Sequence, residues 1–197
     1  MTRRSQAERS ATTQAALLDA TIECLVELGF EGTSTPEICR RAGVSRGAQL
    51  HHFPTKAELL VAAVEHLCER RHAEFRALVE ARDSPSQRLD AAFDELWKLY
   101  SGPTLSAWIE LTVAARTDPV LKQHMGGVSR RVEEEAEITL RKLFGIADDV
   151  PAKASVRMVL SLLDGLAFRR ILQDDASARK SLDVFRTLVE PWLGHGK

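Results

Sequence analysis

The sequence predicts an all-α protein: a small N-terminal three-helix module with a helix-turn-helix, then a larger helical domain, about nine helices in all. Three observations carry that prediction. Apolar residues recur at the helical period of about 3.6 residues along the chain, and no segment sustains the alternation of a half-buried strand. Helix-start signatures recur, with Ser, Thr or Asp just before a Pro or three residues ahead of a Glu or Gln. Finally, Gly43 lies between two short amphipathic stretches, where a residue tolerant of positive φ lets the chain turn tightly.

The elements follow in order. Residues Met1 to about Ser10 are polar and basic and are expected to form a mobile arm. From Thr12 or Thr13 a helix carries Leu17, Ala20, Thr21, Cys24, Leu25 and Leu28 at helical spacing and ends at Gly29. Ser34 and Glu37 form a capping-box pattern that opens a short helix with Ile38, Cys39 and Ala42 on one face. Gly43 stops it, Val44 plugs the corner, and Ser45 caps a second short helix from Arg46 to about Phe53. A second capping box, Thr55 to Glu58, opens a helix running to about Arg82 through Leu59, Leu60, Val64, Leu67, Phe75 and Val79. A helix this long usually joins two subdomains.

Ser84-Pro85-Ser86-Gln87 starts a helix rich in large apolar groups, which Ser101-Gly102-Pro103 breaks. The next runs from Thr104 to Arg116. Asp118-Pro119 starts another, expected to kink at Gly126-Gly127 and end at Gly145. Pro151 and Ser177 open the last two, one from Ala152 to about Gln173, the other from about Ala178 to Val189, before Pro191.

Two short helices joined by a Gly-containing turn describe a helix-turn-helix, and the second displays Arg46, Gln49, His51 and His52, groups suited to base edges and phosphates. Thr33, Ser34, Ile38, Ala42-Gly43-Val44-Ser45, Gly47, His51-His52-Phe53, Lys56 and Leu59 together resemble the N-terminal module of the TetR family of transcriptional regulators. The likeness is dense from about Thr13 to Val64 and fades beyond, as a common reader attached to a divergent sensor would show. It implies DNA contacts from Thr35, Arg46, Gly47, Ala48, His51, His52 and Lys56. Gln49 stands where the family usually places a buried Leu, and Leu50 where it usually has a contacting Tyr. An exposed Gln49 could pair with adenine, with Leu50 filling the core in its place; a buried Gln49 is the alternative, and the exposed arrangement is the one expected here.

Composition sets bounds without pointing anywhere alone. In the first 56 residues seven basic side chains face six acidic ones, and the whole chain carries −1, so global charge does not propose nucleic acid. The case rests on where the bases sit: Arg3, Arg4 and Arg9 on the arm, Arg46 on the second short helix and Lys56 after it. Three cysteines without framework spacing fit reduced thiols. With no signal-peptide pattern and no long apolar run, a soluble cytoplasmic protein without membrane contact is expected. Cys68 and His72 lie four apart on one helix face and Glu69-x-x-His72 matches half of a di-iron pattern, but no second Glu-x-x-His exists to complete it, so no metal or other cofactor is expected. No nucleophile elbow or phosphate loop indicates an enzyme.

Four of the 11 aromatic Phe, Tyr and Trp residues lie between Phe93 and Trp108. Phe93, Trp97, Tyr100, Trp108 and Phe168, with Thr112, Arg116 and His124 as polar anchors, are the candidate pocket for an apolar or aromatic effector, a cavity the TetR resemblance implies in this region. Val156, Leu160, Leu163 and Leu166, with Phe185 and Leu188, make broad stripes on the last two helices, the pair through which such proteins dimerise. The resemblance therefore implies a ligand-responsive homodimeric repressor on a palindromic operator in double-stranded DNA. Residues 1–56 would be the reader (arm 1–11, helix-turn-helix 34–53) and 57–197 the helical ligand-binding and dimerisation domain. The competing expectation is a helical protein of the same fold acting through protein partners without DNA.

Overall fold

The computed structural model describes residues 6–144, 150–172 and 174–193. Among them are nine helices: α1 (Gln6–Gly32), α2 (Thr35–Ala42), α3 (Arg46–His52), α4 (Lys56–Glu80), α5 (Pro85–Ser101), α6 (Pro103–Ala115), α7 (Pro119–Phe144), α8 (Val150–Arg170) and α9 (Asp175–Leu193). The described residues contain no strand, and the all-α expectation holds.

Several boundaries differ from the sequence expectation. α1 begins at Gln6, about two turns early, because residues 6–9 are good helix formers. The hydroxyls of Thr12 and Thr13 donate to the carbonyls of Glu8 and Arg9 at 2.8 and 2.9 Å inside the helix instead of capping it. Arg9 is therefore helical, while Arg3 and Arg4 lie outside the described residues. α7 passes through Gly126 and Gly127 unbroken; buried Leu121, Met125 and Val128 anchor it on both sides of the pair. The cap of α9 is Asp174, whose carboxylate accepts the Ser177 amide at 2.9 Å, so the helix starts ahead of Ser177. It also continues past Pro191, where a lost bond falls in the final turn. Gly145 and Gln173, expected helix ends, lie outside the described residues.

The chain folds as two compact units. The first holds α1–α3, α4 to Cys68, and Ser106–Val128 from α6 and α7. Its core joins Leu17, Leu18, Ile22, Cys24, Ile38, Phe53, Leu59 and Leu67, with Val44 plugging the turn as expected. The second holds Glu69–Leu105 and the chain from Ser129 onward. There Leu89 and Phe93 of α5 pack on Leu163 of α8 and Leu182 of α9, while Phe75 and Val79 of α4 meet Ala92. Cys24 and Cys39 are buried free thiols. Among the described residues no helix is long and apolar enough to cross a membrane.

Candidate nucleic-acid interface

Local chemistry fixes the pair α2–α3. The Ser34 hydroxyl accepts the Glu37 amide at 3.4 Å, which is half of a capping box. The other half is absent: the Glu37 carboxylate binds Arg40 at 2.7 Å and Arg41 at 2.8 Å, and Arg41 continues to Glu27 of α1 at 2.7 Å. The hydrogen bonds from Arg40 and then Arg41 hold the Glu37 carboxyl down to about 2. Gly43 adopts φ 63°, so the Val44 amide reaches back to the Cys39 carbonyl at 3.0 Å and closes α2. Ser45 caps α3 by accepting the Ala48 amide at 3.2 Å. The expected box between Thr55 and Glu58 is complete, at 3.0 and 3.1 Å, and launches α4.

α3 then turns one face outward. Arg46, Gly47, Leu50 and His51 are exposed and stand at i, i+1, i+4 and i+5, a single strip of helix surface. Ala48 and His52 are half-buried shoulders, and Thr35 at the start of α2 is half-buried too. Among the described residues Arg46 has no acidic partner, in contrast to Arg40 and Arg41. Gln49 corrects the expectation that it faces outward. It is 1% exposed, and its amide nitrogen donates to the Phe53 carbonyl at 2.6 Å. Leu50 does not fill the core in its place, being 46% exposed. A turn carrying Phe53 inward leaves Gln49, four residues earlier, on the same inner side. The i, i+4 pairing of Arg46 with Leu50 was the sequence signal that could have shown this.

Lys56 sits half-buried at the start of α4. Its ammonium lies 4.8 Å from the centre of the Phe30 ring and 3.5 Å from the Phe30 carbonyl. On its other side the Phe30 amide donates to the Glu110 carboxylate of α6 at 2.7 Å. Sequence gave no sign of that contact, since its partners are 80 positions apart.

Residues 17–63 match the family of bacterial regulatory proteins of the tetR type, and residues 85–194 match the BetI-type transcriptional repressor C-terminal region. The chain belongs to the TetR family. It is similar to the HTH-type transcriptional regulator CymR of Pseudomonas putida, 33% identical over 180 residues covering 88% of this chain and 86% of that one. It is also similar to the HTH-type transcriptional regulator BetI of Burkholderia cenocepacia, 30% identical, covering 81% and 82%. A transcriptional regulator from Rhodococcus sp. Rha1 superposes with a TM-score of 0.72 at 26% identity, over 89% of this chain and 95% of that one. The TetR-family chain is thus a DNA-binding transcriptional regulator.

The expected pocket residues of this TetR-family regulator fall in both units. Phe93, Trp97 and Tyr100 are together in the second, where Phe93 is buried and its ring lies 6.1 Å from that of Phe185. Trp97 lies under two guanidiniums, Arg170 at 5.3 Å and Arg179 at 5.8 Å, and Arg170 also donates to the Tyr100 carbonyl at 3.2 Å. Phe168 belongs to the second unit as well but is exposed. Trp108, Thr112, Arg116 and His124 belong to the first.

The expected interface residues divide as well. Val156 and Leu163 are buried in the chain's own core, which corrects their expected place on a subunit interface; Leu166 and Phe185 pack on the same cluster, and Leu160 is half-buried. Leu188 is 65% exposed. The outward surface of α8 carries a different row, Met158, Ser161, Gly165 and Phe168, at steps of three and four. On α9 Ser177, Ser181, Val184 and Leu188 repeat it.

Proposed function

We propose that this TetR-family regulator is a ligand-responsive homodimeric repressor reading a two-fold palindromic operator through Arg46, Gly47, Leu50 and His51. The single observation that supports this most is the exposed strip of α3, capped at Ser45 and held on a core that buries Gln49 and Phe53. Arg46 has the geometry to pair with the O6 and N7 of guanine, and Leu50 is suited to the methyl group of thymine. Thr35, His52, Lys56, Arg9 in the first turns of α1 and the arginines Arg3 and Arg4 before it would take phosphates, contacts that orient the protein without specifying sequence.

Dimerisation is assigned to the outward rows of α8 and α9. They combine large apolar groups, Met158 at 72% exposure and Leu188 at 65%, with the small Ser161 and Gly165 that let helices approach. Apolar rows of this length are unusual on a free surface. Residues 1–56 act as the reader and 57–197 carry assembly and effector response. The effector is an apolar or aromatic small molecule bound beside Phe93, Trp97 and Tyr100, shifting the population of two states that differ in operator affinity.

The reading strip is tested with duplexes altered one base pair at a time. Arg46→Ala and Leu50→Ala should each relax preference at one position per half-site, by about 1–3 kcal/mol for a good pair. Uniform weakening across all sequences by either variant would contradict the assigned base contacts.

A further inference from the structure

We propose that Glu110 is a positioning residue for operator binding: its carboxylate, on α6, holds the Phe30 amide and so fixes where the reading pair α2–α3 begins. The need arises in α1. Gly29 leaves the helix with φ 69°, which breaks the backbone ladder and frees the next amide from its intrahelical acceptor. That amide belongs to Phe30, and the Glu110 carboxylate takes it at 2.7 Å. A hydrogen bond to an ionised acceptor is about twice as strong as a neutral one.

The junction is tied on every side. The Gly29 carbonyl accepts both the amide and the hydroxyl of buried Thr33, at 3.1 and 2.6 Å. The Phe30 carbonyl and ring face Lys56. A methyl group at Gly29 would come within 3.1 Å of the Glu110 oxygen, so the approach leaves little room for drift. Among the described residues Glu110 has no basic partner, so this amide is what its charge serves. Its neighbours Ala107 and Leu111 are fully buried, which makes α6 a firm support.

Ser34, the cap of α2, follows within four residues of Phe30, and the Gly43 turn joins α2 rigidly to α3. A shift at Phe30 therefore propagates to the strip that meets base edges. Base contacts need tight positioning, whereas sequence-independent binding tolerates disorder because it is electrostatic.

The proposal rests on α3 reading an operator, and its test separates the two ideas. Full-length wild type, Glu110→Ala and Glu110→Gln are compared for affinity to the selected operator, affinity to bulk DNA, and hydrogen exchange at the Phe30 amide. Glu110→Ala should weaken operator binding by about tenfold, the size expected for a lost charge-assisted bond. Bulk DNA affinity should stay within twofold and Phe30 exchange should accelerate. Glu110→Gln, which keeps an acceptor oxygen, should restore most of the operator affinity. An operator affinity unchanged in Glu110→Ala overturns the proposal, as does equal weakening on operator and bulk DNA. Should Glu110→Ala fail to fold, Glu110→Leu, which fills the space but cannot accept the Phe30 amide, takes its place, and an unchanged operator affinity in it also overturns the proposal. A wild type that prefers no sequence overturns the operator assignment itself and leaves Glu110 nothing to position.

Discussion

A glutamine amide enclosed in a small helical core leaves one polar atom without company. The Gln49 amide nitrogen is satisfied by the Phe53 carbonyl, but its oxygen is buried without a hydrogen-bond partner. Such an atom costs about 1–3 kcal/mol. Gln49→Leu should therefore leave base preference intact while raising the melting temperature by roughly 2–4 °C for each kcal/mol relieved; a scan of the variant beside the wild type checks it. A second residue-scale effect concerns His72. Burial, against the opposing pull of Glu135 and with help from Arg76, pushes its imidazole below the ordinary value of 6.5, and its ring nitrogen lies 2.8 Å from the buried Thr139 hydroxyl. Above that value both folded and unfolded chains hold the ring neutral and stability is flat. As pH falls below it, the unfolded chain takes up a proton that the folded one resists, so stability drops until the folded ring also titrates. The melting temperature of His72→Gln should fall less steeply between pH 7 and 5 than that of the wild type; parallel curves would remove His72 from the account. The residue scale was the least legible in the sequence. Gln49 and Leu50 are adjacent polar and apolar groups on a helix of two turns, and a rotation of one residue, which no local pattern fixes, exchanges their places.

Elements were legible where their causes are local. Caps at Ser34, Ser45, Thr55 and Ser84 are where the sequence placed them, because a side-chain oxygen and an amide three residues on need nothing from the rest of the chain. Starts that depend on choosing between two local caps were harder, as with Asp174 and Ser177. Which side of a helix faces the chain's own core was not legible on α8, where the apolar stripe is broad enough to serve both the core and an outer surface. That distinction yields a prediction. Leu163, 1% exposed against Leu89 and Phe93, should when changed to Arg bury an unpaired charge and unfold the chain. Leu188→Arg on the outward row of α9 should instead leave the fold intact and shift the protein to monomer in sedimentation. A folded dimer from Leu188→Arg would move the assembly surface away from α9.

At the scale of the molecule, the two compact units divide the chain differently from a cut at residue 56. Ser106–Val128, from α6 and α7, cluster with the N-terminal helices, and the contact that shows why is Glu110 holding Phe30. No sequence pattern announces a bond across 80 positions, whereas the helix-turn-helix itself is written in about twenty consecutive residues and was read directly. Whole-molecule charge was similarly silent. The net −1 hides an exposed strip of α3 whose Arg46 is unpaired among the described residues, while Arg40 and Arg41 are neutralised by Glu37 and Glu27. One short helix can read only a few base pairs, so the proposed operator recognition calls for two copies, with their α3 helices about 34 Å apart on one face of the duplex. Selection of bound fragments from genomic DNA, followed by footprinting of the best of them, tests that claim most directly. The account predicts an inverted repeat with half-sites centred one helical turn or a multiple apart, and an affinity that falls steeply with salt. Fragments without two-fold symmetry, or binding no tighter than to bulk DNA, would contradict it.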